Sequence, residues 1–243
     1  MQSLPSAPVA WIASLRRGAA DAGRLADLLT PDERSRCERL GKAADRQRFT
    51  IGRVMTRLAV ASQLGCSARD VAIEVDAAGK PWLRGAAAPL ALSIAHGGDL
   101  VVVALAAGCA LGTDVESRDQ AIDLDAVLPL VCGPRERAAI EALPMTQRQD
   151  RFLLLWTLKE AMLKATGRGL AGDPTELEFD AGDDRHPVLL SHPAQGASPW
   201  RFFLSPDQQG HVLALAVESR SGHRGADAPL LRDAHPLLAA AAP

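Results

Sequence analysis

The alternation of apolar and polar residues predicts strands and helices in turn along the 243-residue chain. VAWIASL near the beginning is typical of a short strand. Thr30 followed by Pro31 is a typical helix start, and a helical region is expected over residues 32–64, interrupted near Gly41 and ended by Gly65. VAIEV then predicts a strand, and LALSIAH and LVVVALA, separated by GGD, predict a hairpin.

The second half of the chain repeats this order. RERAAIEAL predicts one helix, a longer helix is expected over about residues 147–166, and LEF, PVLLS, WRFFLS and HVLALAVES predict strands of a second sheet. We therefore expect an α+β fold with two similar lobes in a pseudo-twofold arrangement. The lobes are expected at residues 1–113 and 114–222, with a flexible tail at residues 223–243.

The composition is that of a globular protein, with 47% hydrophobic and 23% charged residues. The net charge of −2 gives no general attraction to nucleic acid or an anionic membrane, so neither is expected as a partner. The longest apolar run, residues 100–111, is too short to span a bilayer, and no signal-peptide pattern is recognised, so a cytoplasmic location is expected. The four cysteines form no CxxC or Cys/His cluster, which argues against structural zinc.

One segment is locally basic. Residues 32–57 contain eight basic and four acidic side chains. In a mildly acidic protein this pattern indicates a discrete polyanionic ligand, such as a small phosphorylated molecule; a solvated helix face is the alternative.

Two acidic residues lie on one face of a predicted strand. Asp114 and Glu116 are two apart in GTDVE, so their carboxylates point to the same side. Hard oxygen ligands of this kind suit Mg²⁺, although two surface acids on an edge strand would give the same pattern.

The helix that contains WTLKEAMLK combines apolar and charged residues. Most of its circumference is apolar, yet Glu160 and Lys164 lie one turn apart on the face that Trp156 also occupies. The pair is either a simple i,i+4 salt bridge or part of a polar site beneath the helix. His96 and Lys80 lie in predicted turns, where they are either ordinary turn residues or ligand contacts.

GTDVE, followed about 40 residues later by WTLKEAMLK, resembles the paired signature of the Sfp-type 4′-phosphopantetheinyl transferases. A GKP turn, a histidine that ends a strand before GTDVE, and an arginine-containing helix upstream also match. The likeness covers roughly residues 30–180 and resembles the monomeric two-lobed type. It implies an enzyme that transfers the 4′-phosphopantetheine arm of coenzyme A to a serine of an apo acyl or peptidyl carrier protein, leaving 3′,5′-ADP.

The resemblance also implies roles for single residues. Asp114, Glu116 and Glu160 would bind Mg²⁺, drawn from the end of one lobe and the helix of the other. Glu160 would also take the proton from the carrier serine, and Lys164 would hold the pyrophosphate and stabilise the departing 3′,5′-ADP. The residues that would bind coenzyme A, besides Asp114 and Lys164, are Arg48, Arg53, Lys80, Ala95 and His96.

The chain departs from the family pattern at one point. Many relatives have Asn-x-Ser-His before the metal motif, whereas this chain has Ser93, Ile94, Ala95 and His96, which removes a hydroxyl beside the histidine. The ending KEA resembles a subgroup that often serves specialised metabolism. Polyketide, nonribosomal peptide and fatty acid synthesis are the expected pathways, and the sequence does not select one of them.

Two other functions fit parts of the pattern. A metal-dependent nuclease also combines acidic residues with a lysine, but its lysine follows an acid by two residues on one strand, whereas Lys164 follows Glu160 by four on a helix. A coenzyme A or carrier-binding module without catalysis would require a broken metal set, and all three carboxylates are present.

Overall fold

The structure is a computed structural model that describes residues 7–18, 25–77, 79–167, 172–180, 187–192, 200–219 and 228–241. The chain divides into two compact units. The first unit comprises Met1–Gly108 and Ala226–Pro243, and the second comprises Cys109–Gly225. Both contain helices and sheets, which confirms the expected α+β class.

The strands and helices follow one another in the order that the sequence pattern predicts for most of the chain. The strands are β1 (Val9–Ser14), β2 (Ile73–Val75), β3 (Pro81–Leu83), β4 (Leu90–Gly97), β5 (Leu100–Ala107), β6 (Leu111–Ser117), β7 (Glu178–Asp180), β8 (Val188–Ser191), β9 (Trp200–Ser205), β10 (His211–Glu218) and β11 (Leu230–Asp233). The α-helices are α1 (Leu15–Gly18), α2 (Pro31–Glu38), α3 (Ala43–Leu64), α4 (Leu124–Val131), α5 (Pro134–Glu141), α6 (Met145–Thr166) and α7 (His235–Ala241).

The first unit is built on a sheet of order β11-β1-β5-β4. The β1–β5 and β4–β5 pairs are antiparallel, and β11 runs parallel to β1. The apolar side of α3 lies in the core of this unit, where Ile51, Val54 and Met55 are buried with Val101 and Val103. A separate antiparallel pair, β2–β3, flanks the GKP turn.

The helix ends of the first unit follow local rules that are readable in the sequence. Thr30 and Glu33 form a reciprocal capping box at the start of α2, with Pro31 in the first turn. The predicted interruption near Gly41 is present, because α2 and α3 are separate helices. α3 ends at Gly65, whose φ of 67° is in the left-handed region that favours glycine.

The second unit is built on an antiparallel sheet of order β6-β10-β9, with α6 packed on β6 and β10. Phe152, Leu155, Leu158 and Met162 on α6 are buried in the same cluster as Ala214 on β10. This explains why the helix is apolar around most of its circumference. β7 and β8 form a separate two-stranded sheet rather than joining the predicted four-strand sheet.

A glycine allows α6 to lie unusually close to β6. A Cβ atom at Gly112 would fall 1.9 Å from the backbone oxygen of Ala161 and 2.4 Å from the backbone nitrogen of Ala165. No side chain fits in that space, so the glycine of GTDVE sets the distance between the strand and the helix that carry the two motifs.

Three expectations about organisation differ from the structure. The units divide after Gly108, not after residue 113. The segment expected to be a flexible tail contains β11 and α7, whose Leu238 is buried in the core of the first unit. α4 was not expected, since its eight residues include Pro129. Among the described residues, no helix is long and apolar enough to cross a membrane.

Candidate active site

β6 places Asp114 and Glu116 on one face, as the spacing predicted. Asp114 lies opposite Ala214 of β10 and is buried, whereas Glu116 lies opposite Val212 and is half-buried. Asp114 therefore sits at the floor of the site and Glu116 nearer to its surface.

α6 supplies the other charged residues of the site. Trp156, Glu160 and Lys164 follow one another at intervals of four residues, so they share one helical face. All three are half-buried, in contrast to the fully buried residues around them. Both motifs lie in the second unit, so the expectation that their carboxylates come from different lobes is wrong.

Direct hydrogen bonds join the strand to the helix. The Lys164 ammonium donates to the Asp114 carboxylate, with Nζ 2.6 Å from Oδ1. The indole Nε1 of Trp156 donates to Glu116 Oε1 at 2.9 Å, and the Gln120 amide donates to Glu116 Oε2 at 3.0 Å. Trp156 was placed on this face by helical periodicity, whereas no pattern in the sequence pointed to Gln120.

The site holds more negative charge than its lysine can balance. Burial raises the pKa of Glu160, and the charges of Asp114 and Glu116 raise it further against the opposing effect of Lys164. Burial and the charge of Asp114 likewise raise the pKa of Glu116, although its hydrogen bonds from Trp156 and Gln120 oppose this. Both carboxyls are therefore stronger bases than ordinary glutamates, and a cation would relieve their repulsion.

The donor set suits a hard divalent cation. Asp114 Oδ2 is buried and lacks a hydrogen-bond partner, which is costly for a carboxylate oxygen unless a ligand completes it. The neighbouring groups Glu116 and Glu160 offer oxygen ligands only, as Mg²⁺ prefers. Within the described residues, no group of three acidic, histidine or cysteine side chains is already drawn together as a complete ligand set. The suitability of these residues for Mg²⁺ therefore depends on their oxygen donors, their excess negative charge and the unsatisfied Asp114 oxygen.

Lys159 faces away from this site, which the motif alone did not reveal. It is fully buried, and its ammonium donates to Glu136 Oε2 at 2.6 Å and to the backbone oxygens of Val131 and Pro174. The lysine of the KEA sequence is therefore bonded to protein groups on the other side of α6.

Of the residues predicted to bind coenzyme A in the first unit, Arg53 lies in a buried, charged environment. Arg53 is buried on α3, with Nε 3.7 Å from Glu33 Oε1 and its guanidinium 5.4 Å from the ring centroid of Phe49. Its Nη1 is buried without a hydrogen-bond partner, and burial lowers its pKa. Arg57 also forms an ion pair with Glu33, with Nη2 3.0 Å from Oε2, so two arginines share one carboxylate. An unsatisfied guanidinium nitrogen is consistent with an anion contact.

Arg48 is tied to the hairpin turn that follows His96. It donates to the Gly98 carbonyl through Nε at 3.2 Å and Nη2 at 2.5 Å, and Nη1 donates to Asp45. On β4, His96 is exposed and its neighbour Ala95 is buried, so only the histidine side chain is accessible from solvent.

Lys80 occupies the predicted turn between β2 and β3. Its backbone nitrogen donates to the Asp76 carboxylate at 2.8 Å, which closes the turn. Burial lowers the pKa of its ammonium, with Asp76 opposing the shift.

Comparisons with known proteins agree with both motifs. The model of the 4′-phosphopantetheinyl transferase superfamily matches residues 110–216, and that of the 4′-phosphopantetheinyl transferase N-terminal region matches residues 19–108. The 4′-phosphopantetheinyl transferase HetI of Nostoc sp. is 33% identical over 209 residues, which cover 85% of this chain and 86% of that protein. The chain belongs to the 4′-phosphopantetheinyl transferase family.

More distant members of the family align over much of the same length. The 4′-phosphopantetheinyl transferase of Bacillus subtilis is 27% identical, with 69% of this chain and 73% of that protein covered. The human L-aminoadipate-semialdehyde dehydrogenase-phosphopantetheinyl transferase is 26% identical, with 86% and 73% covered. The expected enzyme class is confirmed: this phosphopantetheinyl transferase moves phosphopantetheine from coenzyme A to a carrier protein.

Proposed function

We propose that the transfer takes place at the cluster of Asp114, Glu116, Glu160 and Lys164 in the second unit. The observation that carries this proposal is the buried Asp114 carboxylate, which is bonded to Lys164 through one oxygen and unsatisfied at the other. Two more carboxylates with raised pKa values lie beside it. Carboxyl groups with raised pKa values, gathered around one lysine, are a common feature of reactive sites.

Asp114, Glu116 and Glu160 are proposed to hold Mg²⁺. The three oxygen donors and their excess negative charge support this assignment over a soft or redox-active metal. When bound, the ion would neutralise the pyrophosphate of coenzyme A as charge develops on the leaving group.

Glu160 is proposed as the base that accepts the proton of the carrier serine. Its raised pKa supports this role, because a base accepts a proton more readily as its pKa approaches the working pH. Lys164, one turn further along α6, is proposed to bind the pyrophosphate and to stabilise the departing 3′,5′-ADP.

The first unit is proposed to supply further contacts to coenzyme A through Arg48, Arg53, Lys80, Ala95 and His96. The unsatisfied Nη1 of Arg53 and the exposed side chain of His96 support contacts to phosphate groups. The resemblance to the family assigns His96 to the 3′-phosphate. Ala95 has no hydroxyl, so any hydrogen bond that it makes to coenzyme A comes from its backbone atoms.

The proposed partners are acyl or peptidyl carrier domains of polyketide, nonribosomal peptide or fatty acid synthesis. We further propose that the enzyme is a cytoplasmic monomer. These assignments rest on the family resemblance. The net charge of −2 offers no general attraction to nucleic acid or to membranes, so neither is proposed as a partner.

Carrier choice is tested by incubating the protein with coenzyme A, Mg²⁺ and apo-carrier domains from each pathway, followed by intact-mass measurement. We expect the addition of one phosphopantetheine to at least one carrier, and none to a carrier whose acceptor serine is replaced by alanine. Unmodified carriers throughout the panel would refute the proposed function.

A further inference from the structure

The ammonium group of Lys159 on α6 is buried and fully hydrogen-bonded. Its side chain has no exposed surface, and its ammonium donates to three oxygens, at 2.6 Å to Glu136, 2.8 Å to Val131 and 2.9 Å to Pro174. An ammonium group has three donors, so every donor is used. Such a group has no capacity left for substrate or metal.

Both carboxylate oxygens of Glu136, the partner of Lys159, also accept hydrogen bonds from the backbone. Glu136 Oε2 also accepts from the Gly133 backbone nitrogen at 3.0 Å, and Oε1 accepts from the Phe179 backbone nitrogen at 2.9 Å. Its side chain is 1% exposed. Lys159 and Glu136, here called the anchor pair, therefore connect α6 to the end of α4, the start of α5, the turn at 174–176 and β7.

The anchor pair lies on a different side of α6 from the carboxylate cluster. Successive residues of an α-helix are separated by about 100° around the axis, so a fixed direction for Lys159 also fixes the direction of Glu160. Most other contacts of α6 are apolar, and apolar contacts are not directional. Hydrogen bonds of 2.6–2.9 Å are directional, so they resist a rotation that apolar packing would tolerate.

We propose that Lys159 is a positioning residue for the transfer reaction. Bonded to Glu136, Val131 and Pro174, it fixes the rotation of α6 about its axis, so that Glu160 faces Asp114 and Glu116. The inference rests on the proposed function, because it acts through Glu160 as base and metal ligand. It gives the lysine of the KEA sequence a role without contact to substrate.

The test compares the wild-type enzyme with the double variant Glu136→Gln/Lys159→Met, using an apo-acyl carrier protein, coenzyme A and Mg²⁺. Removing both charges avoids an uncompensated buried ion, so this variant is expected to fold where Lys159→Met alone would be strongly destabilised. We expect kcat to fall at least about tenfold, because small misplacements of a reacting group have large effects. The KM for coenzyme A should stay within about threefold of the wild-type value, and half-maximal activity should require more Mg²⁺.

If the double variant does not fold, a milder substitution in the anchor pair tests the same positioning role. Glu136→Asp retains both charges but shortens the carboxylate side chain by one methylene, which lengthens or breaks its bond to Lys159. We expect a smaller decrease in kcat, again with an increased Mg²⁺ requirement. The matched control is Leu128→Ala, which removes buried apolar volume from the same core and touches no bond of Lys159. It should lower Tm while kcat, measured well below that Tm, stays near the wild-type value.

The outcomes separate this inference from the proposed function. An active wild-type enzyme whose folded anchor-pair variants keep the wild-type kcat and Mg²⁺ dependence would show that the pair only stabilises the fold, which overturns the positioning role. The positioning role is also overturned if Leu128→Ala lowers kcat as much as the anchor-pair variants do at equal loss of Tm. A wild-type protein without any transfer activity overturns the proposed function, and the positioning role with it.

Discussion

The charges around Asp114 determine the protonation behaviour of the neighbouring glutamates. Three carboxylates are close enough to raise the pKa values of two of them, and Lys164 bonds to the most buried of the three. Lys164 therefore neutralises part of the negative charge of this cluster. This ion pair explains why a lysine lies one turn from a glutamate on a helix that is apolar around most of its circumference.

Replacing Lys164 by methionine should destabilise the metal-free protein by about 3 kcal/mol, because the buried Asp114 charge loses its partner. Added Mg²⁺ should recover part of that loss by supplying positive charge to the same carboxylates. Urea unfolding with EDTA and with Mg²⁺ measures both effects. Equal stability of variant and wild type in EDTA would contradict this view of the ion pair.

The raised pKa of Glu160 has a consequence for stability at different pH values. In the metal-free protein the folded state holds the Glu160 proton more tightly than the unfolded state, so this group lowers stability as pH rises through the raised pKa. The groups that face it are Asp114, Glu116 and Lys164. Glu160→Gln cannot ionise, so it should gain stability relative to wild type as pH rises. Urea unfolding of both proteins in EDTA across the acid-to-neutral range checks this; a pH-independent difference would speak against a raised pKa.

At the scale of elements, the close packing of α6 on β6 requires a glycine at position 112. Gly112→Ala should lower the free energy of unfolding by about 3 kcal/mol or more. Its Cβ would clash with backbone atoms of α6, which cannot move away as a flexible side chain could. The matched control is Gly41→Ala, where nothing lies within 4 Å and the change should stay within about 0.5 kcal/mol. Thermal unfolding distinguishes them, and a neutral Gly112→Ala would contradict the close packing.

Sequence patterns predicted elements with strong local signals and missed those without them. The capping box at Thr30 and the left-handed Gly65 are local features, so the ends of α2 and α3 were predictable. α4 is short and contains Pro129, which is an unfavourable residue inside a helix, so its formation depends on burial of Leu128 and Val131 in the core. The direction of Lys159 depends in the same way on elements distant in sequence.

At the scale of the whole molecule, β11 and α7 belong to the first unit, and α7 contributes to its core through Leu238. β11 pairs with β1, and the Ser14 backbone nitrogen donates to His235 Nε2 at 3.1 Å. Local patterning gave no strand or helix here, because parallel pairing with a strand more than 200 residues earlier has no local signal. In the described part of the segment expected to be a tail, β11 is instead the edge strand of the sheet and α7 packs on the first unit.

This placement is tested by a pair of leucines. Leu238→Ala should destabilise the protein by about 2–3 kcal/mol, since Leu238 is 6% exposed in the core. Leu231→Ala should change stability by less than about 1 kcal/mol, since Leu231 is 44% exposed on β11. Denaturant unfolding of the full chain measures both. Two neutral substitutions would favour the flexible tail that the sequence alone suggested.

The carboxylate cluster of the second unit is proposed to perform the transfer, with Glu160 as its base. The decisive experiment measures holo-carrier formation by wild type and by Glu160→Gln in Mg²⁺ and in EDTA, together with coenzyme A binding by each. We predict Mg²⁺-dependent transfer by wild type, loss of at least about 100-fold in rate for the variant, and coenzyme A binding largely retained. A variant that still transfers phosphopantetheine at the wild-type rate would rule out Glu160 as the base.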